Sequence, residues 1–448
     1  MFKSAVRRCI LAAGLGMVGL VTALSADAGT YKLLHSACSE ADCTDGGVPG
    51  GGLIADAAGN LYGTNEAGGA YRWGNVFKIT PGGAETVLYS FCPEANCPDG
   101  ESPSSSLAMD SAGNLYGTTN MGGIQTVCDE PSCGVVFKVA PDGTETTLHT
   151  FCSQSNCSDG ALPASGVLVD GQGNVYGTTT GGGIDGCNDT RGCGTVFKIA
   201  PNGTETVLYN FCSQTNCTDG AKPASNLIMD ANGDLYGTTF DGGNIGECQN
   251  KYYSSGCGVI FELAPNGTET VLYTFCAQAN CSDGANPMAG VTMDAAGNLY
   301  GTTIQGNVVG CDSYGGCGGV YKLTPGGVES VVLVFDGSNG GNSESNVVMD
   351  SSGNLYGVSA FTTAPFGQCF NEGCGNVFKL APDGTETVLY TFCQKNKCKD
   401  GEKPYDVGSL ALISTHKGKD LEIFGTVWAG GKTAGKTIGD GGIFRIKD

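Results

Sequence analysis

The side chains in this sequence that could do chemistry are unevenly stocked: 23 cysteines and 44 acidic residues, but only three histidines, in 448 residues. Nucleophilic catalysis by serine or cysteine needs a positioned base. His35 and His149 occupy a recurring segment where other copies carry Tyr89, Tyr209, Tyr273 and Tyr390, so both read as stand-ins for a structural tyrosine. His416 falls in a short connection of the last copy, on the face opposite the long loops. The acidic residues Asp45, Asp99, Asp159, Asp219, Asp283 and Asp400 each follow a cysteine pair and precede a glycine. Such regular recurrence fits turn-making by aspartate better than a unique acid–base pair. The recurring Asp-x-x-Gly-Asn lacks the alternating oxygen ligands of a calcium loop. No catalytic residue is assigned on these grounds.

One cysteine, Cys9, lies in an N-terminal leader, and the other 22 fall into eleven local couples. Six have the form Cys-x4-Cys: Cys38/Cys43, Cys92/Cys97, Cys152/Cys157, Cys212/Cys217, Cys276/Cys281 and Cys393/Cys398. Five are looser: Cys128/Cys133, Cys187/Cys193, Cys248/Cys257, Cys311/Cys317 and Cys369/Cys374. Where a repeat loses one member of a couple it loses both, as at Asp336-Gly-Ser-Asn and at Ala70-Tyr-Arg-Trp. Cysteines lost together are most simply cysteines bonded together, and an even number at local spacing reads as a disulfide framework. A zinc site needs several ligands within reach, so neither a metal nor any other cofactor is expected.

Aromatic residues break the repeat and are the better binding candidates. Tyr71, Arg72 and Trp73 replace a cysteine couple; Tyr252, Tyr253 and Tyr314 lie in corresponding loops, as do Phe366 and Phe370. Phe240 and Trp428 stand where other copies have Glu66, Asn120 or Thr180. Exposed rings beside carboxylates and amides suit stacking on a sugar or peptide; rings folded under their own loops would be merely structural.

These residues must be positioned by a tandem repeat. The phrase Gly-Asn-Leu-Tyr-Gly-Thr at Gly113–Thr118 recurs at Gly59–Thr64, Gly173–Thr178, Gly233–Thr238, Gly297–Thr302 and Gly353–Val358, with a worn copy at Glu422–Thr426. Seven copies make a repeat architecture. Each copy contains four short β-branched and aromatic runs bounded by turn residues. In the second copy strand A is Leu107–Met109, B is Asn114–Thr119, C is Val135–Val139 and D is Glu145–Phe151. The A–B connection Asp110-Ser-Ala-Gly113 and the C–D connection Ala140-Pro-Asp-Gly143 have the chemistry of tight turns. Alternating strand direction then puts those turns at one end of the sheet and both cysteine series at the other. Loops on a rigid frame are where function concentrates.

Four-stranded sheets repeated radially give an all-β, seven-bladed β-propeller. The last copy lacks strand D, while Tyr31–Ser36 is a strand D without a blade, so the N-terminal strand should close the ring and remove an open edge. The expected blades are 53–91, 107–151, 167–211, 227–275, 291–335, 347–392 and 410–448, the last completed by 29–37. Before them, Lys3, Arg7 and Arg8 precede an apolar run from Ile10 to Leu24 and the site Ala26-Asp27-Ala28, the pattern of a signal peptide over 1–28. The Arg7-Arg8 pair is compatible with twin-arginine export, although its flanks fit poorly. A net charge of −21 disfavours nucleic acid and anionic membrane as partners and suits a protein kept soluble by its surface. A monomer without membrane insertion is expected.

The longer pattern, Gly173-Asn-Val-Tyr-Gly-Thr-Thr followed by Gly194-Thr-Val-Phe-Lys-Ile-Ala-Pro-Asn-Gly-Thr-Glu-Thr-Val-Leu-Tyr, resembles the GloVer tandem-repeat proteins, also called choice-of-anchor tandem repeat proteins. The resemblance implies a bacterial exported protein of propeller type whose relatives often end in a surface anchor. It carries no activity and so no catalytic residue. Because the sequence ends at Ile446-Lys-Asp without such a tail, release to periplasm or medium is expected over surface attachment. Two functional readings stand: a binding module for an extracellular or cell-envelope glycan or peptide, and a secreted carboxylate-type glycan hydrolase or lyase with its site at the channel mouth.

Overall fold

The computed structural model describes residues 30–123, 133–184, 187, 191–243, 256–306, 316–362, 374–395, 398–401, 404, 409–414, 420–430 and 441–448. Seven antiparallel sheets carry the fold, six of four strands and one of five. Together they form a seven-bladed propeller. In blade 2 the strands are Ala108–Met109, Leu115–Thr119, Val135–Val139 and Glu145–Thr150, so strands A, B and D are each one residue shorter than the sequence pattern suggests. Phe151, just past strand D, is fully buried and donates its N–H to the Gly134 carbonyl at 3.1 Å, a loop bond outside the ladder. Blade 1 gains a fifth strand, Gly47–Pro49, which pairs with the upper half of Leu61–Ala67 while Ile54–Ala55 pairs with the lower half.

The repeated phrase is legible as packing. Its glycine sits in strand B with a strand C ring against its backbone: a Cβ at Gly117 would lie 2.6 Å from Phe137 Cζ, and one at Gly357 would lie 2.5 Å from Phe378 Cζ. Any side chain there would displace a fully buried phenylalanine. The Asp of the A–B turn is a local anchor. Asp110 Oδ1 accepts the N–H groups of Ala112 and Asn114, both at 2.9 Å, and Oδ2 accepts Asn114 Nδ2 at 2.7 Å and the Tyr116 hydroxyl at 3.0 Å. Both oxygens are thus consumed by the turn. Blade 4 substitutes Asp234 for the asparagine, and the worn copy in blade 7 has Glu422.

Neighbouring blades are joined by aromatic pairs. The ring that follows strand D meets a strand C ring of the next blade edge-on, with centroids 4.9 Å apart for Phe91–Phe137, 5.1 Å for Phe151–Phe197 and 5.2 Å for Phe392–Phe444. Edge-to-face pairs of this kind add about 0.5–1.5 kcal/mol beyond buried area. Strand D carries a bulge, as between Thr147 and His149, that re-aims the residue after it toward the next blade. The ring closes on Lys32–Ser36, which pairs antiparallel with Gly442–Lys447 from Lys32↔Arg445 to Ser36↔Gly442. Leu421–Val427 and Ala411–Ser414 complete that sheet. Tyr31 stacks on Tyr390 of blade 6 at 3.9 Å and its hydroxyl donates to the Asp400 carbonyl. Among the described residues no helix is long and apolar enough to cross a membrane.

Candidate functional site

The described ends of the B–C connections pair with the D–A connections, through bridges such as Glu101↔Met121 and Ala161↔Gly181, so both leave the same end of the sheets. Within the D–A loops the pairs Cys38–Cys43, Cys92–Cys97, Cys152–Cys157, Cys212–Cys217, Cys276–Cys281 and Cys393–Cys398 are bonded, and Cys187–Cys193 is bonded in a B–C loop. Cys133, Cys257, Cys317 and Cys374 are also disulfide-bonded; their expected partners Cys128, Cys248, Cys311 and Cys369 lie outside the described residues. In blade 3 the two bridges pack together, with Cys187, Cys193 and Cys217 buried and Cys212 beside them.

The D–A aspartates are braces. Asp219, fully buried, accepts the Tyr209 hydroxyl at 2.8 Å, the Ser213 N–H at 2.8 Å and the Ser213 hydroxyl at 2.9 Å through Oδ2. Asp99, Asp283 and Asp400 hold Tyr89, Tyr273 and Tyr390 in the same way, and Asp159 holds His149. Asp99, Asp159, Asp219 and Asp283 each face a glutamate from the first position of the next blade's strand D, whereas Asp400 meets Tyr31. Burial and the charge of Asp99, Asp219 or Asp283 push Glu145, Glu269 and Glu329 up to about 7. Where the two blades that close the ring meet, His35 takes the tyrosine's place between Asp45 and Glu85. Burial pulls its pKa down, but the two carboxylates outweigh that and raise it.

Of the aromatic candidates, Tyr71, Trp73 and Trp428 stand out from the surface at 47%, 48% and 42% exposure. Arg72 adopts φ 74° and pairs with Asp42 at 3.6 Å, both well exposed. Phe240 is half-buried beside the Lys222–Asp241 ion pair of 3.0 Å, and its carbonyl accepts Asn286 Nδ2 at 3.0 Å. Tyr252, Tyr253, Tyr314, Phe366, Phe370 and His416 lie outside the described residues.

The two tryptophans flank blade 1. The Trp73 carbonyl accepts the Ser102 N–H of blade 2 at 2.9 Å. On the other side, Gly441 sits against both the Trp428 carbonyl and Pro49 of blade 1, each 2.8 Å from where its Cβ would be. Glu66, at the end of strand B of blade 1, packs its Cγ on Gly50. Burial alone raises its pKa. Glu101, beside Ser102, is also raised by burial, and its Oε2 lies 3.3 Å from Cys97 Sγ.

The Gloeobacter/Verrucomicrobia repeat pattern matches residues 10–251 and 248–444. The chain belongs to this family. No curated protein matches the sequence. Among solved structures, this member of the Gloeobacter/Verrucomicrobia repeat family is similar to a fungal alcohol oxidase of the AA5 family in complex with copper, at 12% identity and a TM-score of 0.51, over 94% of this chain and 76% of that one. A gluconolactonase from Xanthomonas campestris aligns at 13% identity and a TM-score of 0.40, over 73% and 85% of the two chains. The PQQ-bound aldose sugar dehydrogenase of Streptomyces coelicolor aligns at 12% and 0.41, over 94% and 98%. The likeness to the oxidase is one of fold alone.

Glu66 and Glu101 were not singled out from sequence. The signal was present for Glu66, which stands where other copies have Asn120 or Thr180; Glu101 stands where three copies have Ala161, Ala221 and Ala285, but Glu402 repeats it in another.

Proposed function

We propose that this GloVer propeller is an exported binding module whose loop face grips an extracellular or cell-envelope ligand, a glycan or a peptide, at the rim of blade 1. The observation that carries the reading is the exposure of Trp73 and Trp428 on either side of that blade. Exposed indoles without a use are rare on a soluble surface, and aromatic anchors dominate many interfaces. Glu66, on strand B of the same blade, would add a carboxyl group whose oxygens can hydrogen-bond the hydroxyls of a sugar.

The test is binding of the purified protein to a glycan array and to peptidoglycan-derived peptides, followed by calorimetry on any hit. Trp73→Ala and Trp428→Ala should each weaken binding at least ~10-fold, the usual cost of losing an aromatic anchor. Their melting temperatures should stay near that of the parent. Unchanged affinity in both variants would remove this rim as the site, and a large loss of stability would make the rings structural.

A second reading is favoured by Glu66, a carboxyl that occurs once at its repeat position, and by Glu101, both raised by burial. Burial that favours the protonated carboxyl is a feature of general acids in glycan hydrolases and lyases. Turnover of a retained glycan, lost in Glu66→Gln while binding persists, would establish the enzyme instead.

A further inference from the structure

At six of the seven blade junctions an aromatic ring follows strand D and packs against the next blade. The seventh, where the ring closes, has Ala37 in that position. There the short side chain leaves blades 7 and 1 without the shared ring pair. In the place of the Tyr–Asp–Glu groups of other junctions it carries His35 on the closing strand, Asp45 in the linker and Glu85 on blade 1, as the junction of blades 2 and 3 carries His149, Asp159 and Glu205.

We propose that these three side chains form a binding site for one divalent transition-metal ion of the zinc type, which clamps the seam of the ring. His35 Nε2 lies 3.1 Å from Glu85 Oε2 and 3.7 Å from Asp45 Oδ2, and one ligand atom of each residue lies within 4.8 Å of the others. Two ligands bound tetrahedrally to zinc at ~2.0–2.1 Å are roughly 3.3 Å apart, so these separations bracket the required value. The three side chains are 13%, 6% and 7% exposed, which screens the site from water while leaving the imidazole edge open to entry.

The bonding pattern separates this cluster from its relatives. At the junction of blades 2 and 3, His149 makes an aligned hydrogen bond of 3.2 Å to Asp159, whose other oxygen accepts the Gln154 N–H at 3.3 Å. At the seam, His35 Nε2 has no aligned hydrogen-bond partner although two carboxylates crowd it. The buried Asp45 Oδ1 has none either, as is also true of Asp99 Oδ1 between blades 1 and 2, so the unbonded imidazole nitrogen is what sets the seam apart. A nitrogen and oxygens gathered around one point, with unmet bonding capacity, is the arrangement a shared cation satisfies. Asp45 is held in place by the Ser39 N–H at 2.7 Å and hydroxyl at 2.8 Å, the kind of outer support that fixes a ligating carboxylate. One imidazole with two carboxylates suits zinc or a neighbouring first-row ion, and a water would complete the tetrahedron; calcium and magnesium prefer oxygen throughout.

The experiment is titration of the EDTA-dialysed mature protein with Zn²⁺ by calorimetry, with Co²⁺ absorption as a second readout of tetrahedral imidazole ligation. One ion per chain should bind, and the melting temperature should rise with free zinc. His35→Tyr restores the residue of the other blades. It should fold, yet lose more affinity than the ~10–100-fold that removal of an outer partner costs. His149→Tyr should bind as the parent does. If His35→Tyr fails to fold, Glu85→Gln makes the same comparison with shape retained. Binding unaltered in these variants, or no stoichiometric zinc in the parent, overturns the site and leaves His35 as a proton-bearing link between two carboxylates. None of these outcomes bears on the blade 1 rim.

Discussion

Glu145, Glu269 and Glu329 make the stability of this propeller fall as pH rises across the weakly acidic range. Each carboxyl is raised from 4.5 to about 7 by burial and by the aspartate it faces. The folded protein therefore holds these protons until near neutral pH, whereas the unfolded chain releases them near pH 4.5. Between those values the native state binds more protons, so stability is lost as pH rises. A displacement of that size would be worth roughly 3 kcal/mol for a fully buried group. These glutamates are only half-buried, and solvent screening brings the figure to about 1 kcal/mol each. Three together give about 3 kcal/mol, which for a chain of this length moves the melting temperature by roughly 3 °C. Differential scanning calorimetry from pH 5 to 8 should show that decline, and the triple variant Glu145→Gln, Glu269→Gln, Glu329→Gln should lose most of it. His35, raised by its carboxylates, contributes in the same direction and would leave a residue of slope. An unchanged slope in the triple variant would refute the junction argument, because nothing else about the variant alters the shape of the site.

The turn aspartates act in the opposite direction at lower pH. Burial acts against the charged form of Asp110, but hydrogen bonds from Asn114, Tyr116 and Ala112 prevail and lower its pKa. Its contribution is therefore lost as pH falls through the folded value; Asp110→Ala should cost about 2–3 kcal/mol by chemical denaturation, since several donors lose their acceptor. Non-reducing peptide mapping should recover the seven described disulfides as local pairs, each short loop adding about 2 kcal/mol in the chain-entropy account. Deleting residues 29–37 should uncover Gly442–Lys447 as an edge and promote association, read by light scattering, far more than an equal cut in a B–C loop. A truncated protein that stays monomeric with the parent melting temperature would contradict closure by that strand.

The blade plan was legible because its determinants are local and repeated: the glycine under Phe137, the Asp110 turn and the Pro-Asp-Gly143 turn recur at fixed spacing. Closure was legible for the same reason, as a strand D missing at one end and present at the other. The junction chemistry was not. Glu145 and Asp99 are 46 positions apart on neighbouring blades, and only the packing of one blade on the next brings them together. His35 reads in sequence as a replaced tyrosine, since the second carboxylate beside it, Glu85, comes from a different blade. Counting histidines along the chain likewise spoke against metal, while the candidate ligands at the seam are mostly carboxylates. Glu66 escaped notice because one exception among many copies looks like drift until burial gives it a cost, and Glu101 because Glu402 at the same place in another copy makes it look like a tolerated variant.

A ring sealed between its first and last strands has an order of assembly written into it. Blades 1 to 6 can each be completed as their own residues become available, because strands A to D of each are contiguous. Lys32–Ser36 is made first and has no partner until Gly442–Lys447 arrives. For nearly the whole time the polypeptide takes to be made, its opening strand is an unsatisfied edge, the kind of surface on which folding intermediates associate wrongly. The final few residues then convert an open arc into a closed one in a single step. Loss of those residues would cost far more than their number suggests, and a polypeptide interrupted late would hold six formed blades yet remain an open, self-adhesive arc.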